Sequence, residues 1–265
     1  MFRTAIKNLL GHKLRMFLTS FSIILGVSFV AGTYIFTDSI GKTFDNLFGE
    51  VFSGIDVTVR PKKADFGDSA RGFDKNVLET VRAVEGVGIA EPGVAGYAQL
   101  IDAEGEPIGG QGPPTLGFSW TVEPGLNALK IEEGDGRPPQ ATGEVVIDKA
   151  TATTNNFSVG SKVKILFNGP AEEFTIVGIA TFGSSDGLAG ATLSAFELSE
   201  AQRLFNFADQ FSEINVKATT GVKAEELQQR IAASLPEGLE AVTGQQQASE
   251  QQSDINEGLG FINTA

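Results

Sequence analysis

Residues 16–36 read MFLTSFSIILGVSFVAGTYIF, with no charged side chain. At about 1.5 Å per helical residue this stretch covers roughly 30 Å, the thickness of a bilayer's hydrocarbon core. A single segment can cross that layer only as a helix, because lipid offers no partner to a bare N–H or C=O. The rest of the chain is placed by this stretch. Arg3, Lys7, Lys13 and Arg15 precede it with no acid among them, and the first charge after it is Asp38. Basic flanks stay on the cytoplasmic side. The sequence therefore predicts a cytoplasmic N-terminus, a helix through a membrane, and a main domain outside. The competing reading is a cleaved secretory signal, whose apolar core is usually about 7–15 residues and ends in small residues. Here the run is longer, and Tyr34, Ile35 and Phe36 occupy its far end.

The charge distribution agrees with that sidedness. All 33 acids lie after residue 37, against 16 of the 20 Lys and Arg. An outer part this acidic is a poor match for nucleic acid, whose phosphates require a basic surface. There is no cysteine, which removes disulfides, thiol nucleophiles and Cys-ligated metals. The single histidine, His12, lies before the apolar run, so neither a Ser-His-Asp triad nor a multi-His zinc site can form outside. No G-x-x-x-x-G-K-[ST] phosphate loop is present, and the glycines of 183–190 lack its lysine. The sequence thus predicts no enzyme, no cofactor and no metal site. Glu132, Glu133 and Asp135, with Gly134 and Gly136, fit no EF-hand spacing and read as an acidic turn.

Within the apolar run, Ser22 with Gly26 and Ser28 with Gly32 are small residues four apart, a spacing that lets helices pack closely in lipid. Past it, Ile40, Phe44, Leu47, Phe48, Val51 and Phe52 recur at helical spacing. This stripe predicts that the helix continues outward as a stalk from about Lys13 to Phe52. The expected organisation is a cytoplasmic amphipathic leader (1–15), the transmembrane helix (16–37), the stalk (38–54), a first β-α-β part (55–92), an inserted strand-rich subdomain (93–197), a second β-α-β part (198–243) and a helix returning to the membrane (244–265). In the first part, 55–60 alternate as a strand, Asp74 is the expected cap of a helix carrying Val77, Leu78 and Val81, and 87–90 form a strand. In the insert, β-type runs fall at 94–101, 115–121, 144–147, 162–167, 173–182 and 192–196, with a brief helix after Asp148. Ser199 and Gln202 suggest a capping box opening the second part. Strands at 211–218 and 239–242 then flank a helix at 223–235. The fold class is α+β. The chain reads as the front portion of something longer.

A family is visible in these motifs. NLLGHKLRMFLTSFSIILGVSFV, from Asn8 to Val30, resembles the start of the first span in FtsX/MacB-like ABC transporter permeases. GEVVID (143–148), FSVGSK (157–162) and FTIVG (174–178) are similar to the periplasmic core domain of that family, and 214–227 to its later β-α unit. The Gly-rich style resembles actinobacterial members. The resemblance implies a porter-like β-α-β part with an inserted subdomain, three further spans, a homodimer or pseudo-dimer in the lipid bilayer, and a separate ABC ATPase subunit. It also implies mechanotransmission, in which ATP-driven motion passes through stalk helices to the outer domain for export or extraction of a substrate the sequence does not identify. The cytoplasmic loop that would meet the ATPase is not among these residues. The rival readings are a bitopic membrane-anchored binding or sensor domain without transport, and an anchored hydrolase using a carboxylate pair.

Overall fold

The computed structural model describes residues 13–52, 54–62, 72–110, 114–183, 185–188, 190–250 and 253. The chain divides into two compact units, Met1–Thr43 with Ser253–Ala265, and Phe44–Gln252. The boundary falls inside one helix, α1 (Lys13–Phe52).

Over 17–33 α1 carries no charged side chain on any face, as a helix lying on a watery surface would. Phe17, Ile23, Val27 and Phe29 are between 63% and 76% exposed. Thr19 Oγ1 donates to Arg15 O (2.7 Å) and Thr33 Oγ1 to Phe29 O (2.9 Å), so both hydroxyls are bonded to the helix's own carbonyls. The crossing expected at 16–37 is not met among the described residues, where no helix is long and apolar enough to cross a membrane. Side chains of α1 are described without a break only over 17–33. Arg3 and Lys7 lie outside the described residues with the rest of 1–12; Arg15 is exposed and the Lys13 side chain is not described. The stripe of Ile40, Phe44, Leu47, Phe48, Val51 and Phe52 sits on helical backbone, with its side chains outside the described set.

The second unit is built on a four-stranded sheet of β1 (Val57–Pro61), β3 (Val87–Gly93), β13 (Glu213–Ala218) and β14 (Leu239–Thr243). Their order is β14-β1-β13-β3, with each neighbour antiparallel. Helices α2 (Val77–Arg82) and α5 (Ala224–Ser234) connect β1 to β3 and β13 to β14. Alternation along the strands sends Val57, Val59, Ile214 and Val216 toward Val81, Leu227 and Ile231 of those helices, and all seven are buried. This is the split β-α-β arrangement of ferredoxin-like folds.

Between β3 and β13 the chain makes a second sheet. Its strands are β4 (Ala95–Tyr97), β5 (Gln99–Ile101), β6 (Thr115–Ser119), β7 (Leu129–Gly136), β8 (Glu144–Asp148), β9 (Lys162–Leu166), β10 (Glu172–Phe182) and β11 (Thr192–Phe196). The order is β4-β6-β11-β8-β10-β9-β5, with β7 also pairing β10. Only Ala98 separates β4 from β5, so the two ends of this path are one stretch of chain: β4 pairs β6 and β5 pairs β9. The sheet thereby closes into a small barrel, which removes most of its open edges.

Aromatic packing fills the barrel. Phe167, Phe174, Phe196 and Phe205 meet with ring centroids 5.2–6.0 Å apart and planes at 61–74°, the edge-to-face geometry that ring quadrupoles favour. Phe205 follows α4 (Leu198–Leu204). It lies on Gly96 and Gly117, which pair across β4 and β6. A Cβ at either glycine would stand 2.5 Å from the Phe205 ring, so the slot exists only because both lack one. Asp148 ends β8 and caps α3 (Lys149–Thr154), as its position in the sequence suggested. It is fully buried and accepts from Thr151 N (2.8 Å) and Leu193 N (2.9 Å); burial pushes its pKa up.

Several local expectations are corrected. Residues 132–136 are not an acidic turn but part of β7, where Lys149 Nζ lies 3.2 Å from Glu132 and 3.5 Å from Asp135. The run 94–101 splits at Ala98 into two strands because it serves two neighbours. The α2 cap is Asn76; Asp74 instead accepts from Asn76 N and belongs to β2 (Phe73–Asp74), which pairs β12 (Gln210–Phe211). Glu197, rather than Ser199, caps α4 by accepting from Ser199 N and Glu200 N, while the Gln202 amide donates to Gln210 O. α4 packs on β6 and β11 of the barrel rather than on the first sheet.

The turn between β7 and β8 carries a pH signature. Arg137 donates to Glu144 (Nη1 to Oε2, 2.8 Å), and Gln140 N donates to the same oxygen at 2.8 Å. The Arg137 bonds are the main reason the Glu144 carboxyl titrates at about 2 rather than its ordinary 4.5. Between those values the unfolded chain binds more protons than the folded one, so this contribution is present above about pH 4.5 and lost as pH falls toward 2. Glu144→Gln is expected to flatten that part of the acid-side loss, measured as urea midpoints against pH. An unchanged slope would remove Glu144 from the acid response.

Candidate functional site

The two places where the second unit's first sheet is joined to the chain's outer segments lie side by side. α1 ends at Phe52, and β1 begins at Val57. β14 ends at Thr243, and 244–250 are helical. Because β1 and β14 pair antiparallel with Val57 opposite Thr243, the start of one strand abuts the end of the other.

Polar contacts tie this junction. Asp56 N donates to Val216 O (3.0 Å), Asp56 O accepts from Gly244 N (3.2 Å), and Asp56 Oδ2 accepts from Ala218 N (2.8 Å). Lys217 Nζ donates to Gly54 O (2.9 Å) and lies 3.8 Å from Asp56 Oδ2. Gly54 is obligatory in a spatial sense, since a Cβ there would stand 2.2 Å from Gly125 O. Thr243 Oγ1 accepts from Gln246 N (3.1 Å) and so opens the final helical stretch.

The sheet face away from α2 and α5 is polar. Thr58 Oγ1 donates to Asn215 Oδ1 (2.9 Å), and Asn215 Nδ2 donates to Glu213 Oε1 (3.1 Å). Arg60 Nε donates to Glu240 Oε1 (2.9 Å), and its Nη2 pairs with Glu250. Burial works against the Arg60 charge, but Glu250 and Glu240 outweigh it and leave the pKa raised. Glu213 as a whole is half-buried, yet its carboxyl end is crowded, and desolvation pushes its pKa up.

A concavity of about 250 Å³ opens beside the barrel, lined by Gly96, Tyr97, Asn168, Phe205 and Gln210 among others. Among the described residues no group of His, Asp or Glu could hold a metal ion.

The sequence-selected residues lie elsewhere. Ser22, Gly26, Ser28 and Gly32 are on α1, and open space surrounds the Cβ positions of both glycines. The junction residues Asp56, Arg60, Glu213, Lys217, Glu240 and Glu250 went unnoticed in the sequence. Their shared signal is period-two polarity on β1 and β13, but only the strand register brings them together.

The fold and junction can be set beside known structures. The chain is similar to the periplasmic region of MacB from Actinobacillus actinomycetemcomitans, with a TM-score of 0.52 and 12% identity over 76% of this chain and 95% of that one. Other similar structures are the extracellular domain of the noncanonic ABC-type transporter YknZ from Gram-positive bacteria (TM-score 0.48, 12% identity, 70% and 98% covered) and a domain of a permease protein from Porphyromonas gingivalis (0.45, 15%, 72% and 90%). No curated protein matches. The fold is shared with a MacB periplasmic region. More particularly, residues 16–234 match the model of the MacB-like periplasmic core domain, and the chain belongs to that family.

The junction makes a direct prediction. Gly54→Ala is expected to cost roughly 1–3 kcal/mol, because backbone must move to admit the methyl group. Gly169→Ala, where a Cβ meets nothing within 4 Å, serves as the control. Thermal melting should fall by several degrees for the first and little for the second; equal melting would mean that the approach of Gly54 to Gly125 relaxes freely.

Proposed function

We propose that this chain is the N-terminal portion of a permease subunit of an ABC transporter. It passes ATP-driven motion from the membrane to an extracytoplasmic domain that handles export or extraction of a substrate. One observation carries the reading: the two segments that leave the sheet do so from paired neighbouring strands, Val57 opposite Thr243. A pull on either segment is therefore delivered to the same strand pair, and an antiparallel ladder resists sliding because every rung must break together.

On this reading 16–37 lies in the bilayer. The charge-free surface of α1 over 17–33 and its self-satisfied threonine hydroxyls support this, since burying such a surface in lipid removes a large hydration cost. Arg3, Lys7, Lys13 and Arg15 then face the cytoplasm, and the small residues Ser22, Gly26, Ser28 and Gly32 offer a packing face to another span. The 38–54 segment acts as the stalk. The working assembly contains a separate ABC ATPase subunit and a homodimer or pseudo-dimer of permeases. The domain itself carries no chemistry of its own.

The stalk is the part most easily tested. In the complete transporter, Phe44→Pro is expected to break the helix and leave ATP hydrolysis running while transport fails. Hydrolysis and transport measured in parallel on the same membranes decide the matter. Unimpaired transport would rule out a rigid transmitting helix.

A further inference from the structure

Among the described residues, Arg60 on the polar face of the first sheet is shared by two carboxylates, with a third close by. The β1–β13 register runs Val57↔Val216, Thr58↔Asn215, Val59↔Ile214. Continued one step, that register would set Arg60 opposite Glu213, where its charge is felt. On its other side Arg60 is opposite Glu240. One guanidinium thus stands in a row between two carboxylates on adjacent strands, and Glu250 reaches it from the helical stretch 244–250 as a third. Arg60 engages Glu240 and Glu250. Glu213 is turned the other way. It lies over Gly93, where a Cβ would be 3.1 Å from its Oε1, and takes its hydrogen bond from Asn215.

A second observation bears on the helical stretch. Gln247 is 6% exposed, and among the described residues its side-chain oxygen has no hydrogen-bond partner. A buried acceptor without a donor is a standing penalty. The seating of 244–250 therefore carries a cost at Gln247, while Glu250 of the same stretch pairs with Arg60.

We propose that Arg60 is a two-position clasp: here it fastens 244–250 to the sheet through Glu250, and when that stretch is let go its guanidinium turns to Glu213. Only side-chain rotations are needed, because Glu213 already occupies the facing register position. The proton balance follows. While Arg60 is fastened to Glu250, desolvation pushes the Glu213 pKa up, against the Asn215 hydrogen bond and the nearby Arg60 charge. A guanidinium brought into contact lowers it, so handover is coupled to loss of a proton to solvent. Handover releases a proton, so rising pH favours the released position. Among the described residues, the charged groups facing Arg60 are Glu240 on β14, Glu250 on 244–250 and Glu213 on β13, with Glu91 of β3 one strand further out opposite Asn215. The neutral groups bonded into this network include Asn215, which donates to Glu213, and Gln246, which donates to Glu250.

The clasp deepens the transport reading, and rests on it only for the meaning of the release. It is tested by hydrogen exchange at 244–250 in the full-length protein in detergent micelles, between about pH 5.5 and 8, corrected for the intrinsic pH dependence of exchange. Glu250→Gln and Arg60→Met should each raise exchange there by about threefold to tenfold. In the wild type, exchange should rise with pH; in Glu213→Gln that rise should vanish while 244–250 stays at least as protected. Failure of Glu250→Gln to raise exchange, or a pH rise that survives in Glu213→Gln, overturns the clasp. Melting curves identify any variant that has simply unfolded, and Glu250→Gln reads the same contact if Arg60→Met does so. A clasp that behaves as described in a protein that moves no cargo would sink the transport reading alone, whereas normal transport with unaltered exchange would sink the clasp alone.

Discussion

The antiparallel pairing of β1 with β14 decides where the chain joins and leaves its first sheet. Val57 faces Thr243, so the residues just outside the two strands, Asp56 and Gly244, are hydrogen-bonded neighbours. Nothing in a β-α-β topology forces both outer connections to one corner; the sheet order β14-β1-β13-β3 does. With that order set, the helices cover one face and leave Thr58, Arg60, Glu213 and Asn215 on the other. The polar face is thus a by-product of the packing on the apolar one, and the ion pairs of Arg60 occupy the place where a third layer would otherwise be apolar.

The barrel between β3 and β13 is self-contained for a different reason. Its closing strand is split by Ala98, so each half serves a different neighbour, and the aromatic cluster fills the interior. Phe205 connects this core to α4, and its seat on Gly96 and Gly117 leaves no room for slippage of β4 on β6. Buried Asp148 then fastens α3 and β11 through backbone N–H groups that would otherwise be orphaned. Family membership and the likeness to a MacB periplasmic region describe a shared scaffold. What moves through it, and whether ATP drives it, belongs to the proposed reading.

Much of this was legible in the sequence where a local pattern carries the information. Alternation marked β6, β8, β9, β10 and β11 to within a few residues, and Asp148 was readable as a helix start because an N-cap acts over three residues. The α5 stripe of Leu227 and Ile231 was likewise local. Reading failed where pairing decides. Glu132, Glu133 and Asp135 have turn composition; they are carried within β7, at the irregularity between Ile131, paired with Ala180, and Gly136, paired with Gly178. Capping at α4 shifted to Glu197 because its longer side chain reaches two amides while Gln202 is used elsewhere. The junction was invisible for the same reason as the barrel's closure: Arg60, Glu213 and Glu240 are over 20 residues apart from one another, and only register unites them.

The claim that both outer segments act on one strand pair has a direct test, and residues 1–265 hold no cysteine to compete with it. Thr58 and Val242 are register partners across β1 and β14. Their replacement by cysteine, Thr58→Cys with Val242→Cys, places two thiols at a separation a disulfide can bridge. The measurement is complementation of a strain lacking the permease, compared between oxidised and reduced conditions with cross-linking followed on gels. If β1 and β14 move as one body, the cross-linked protein complements as well as the reduced one. If oxidation abolishes complementation and reductant restores it, the strands must part during the cycle, and the account is wrong.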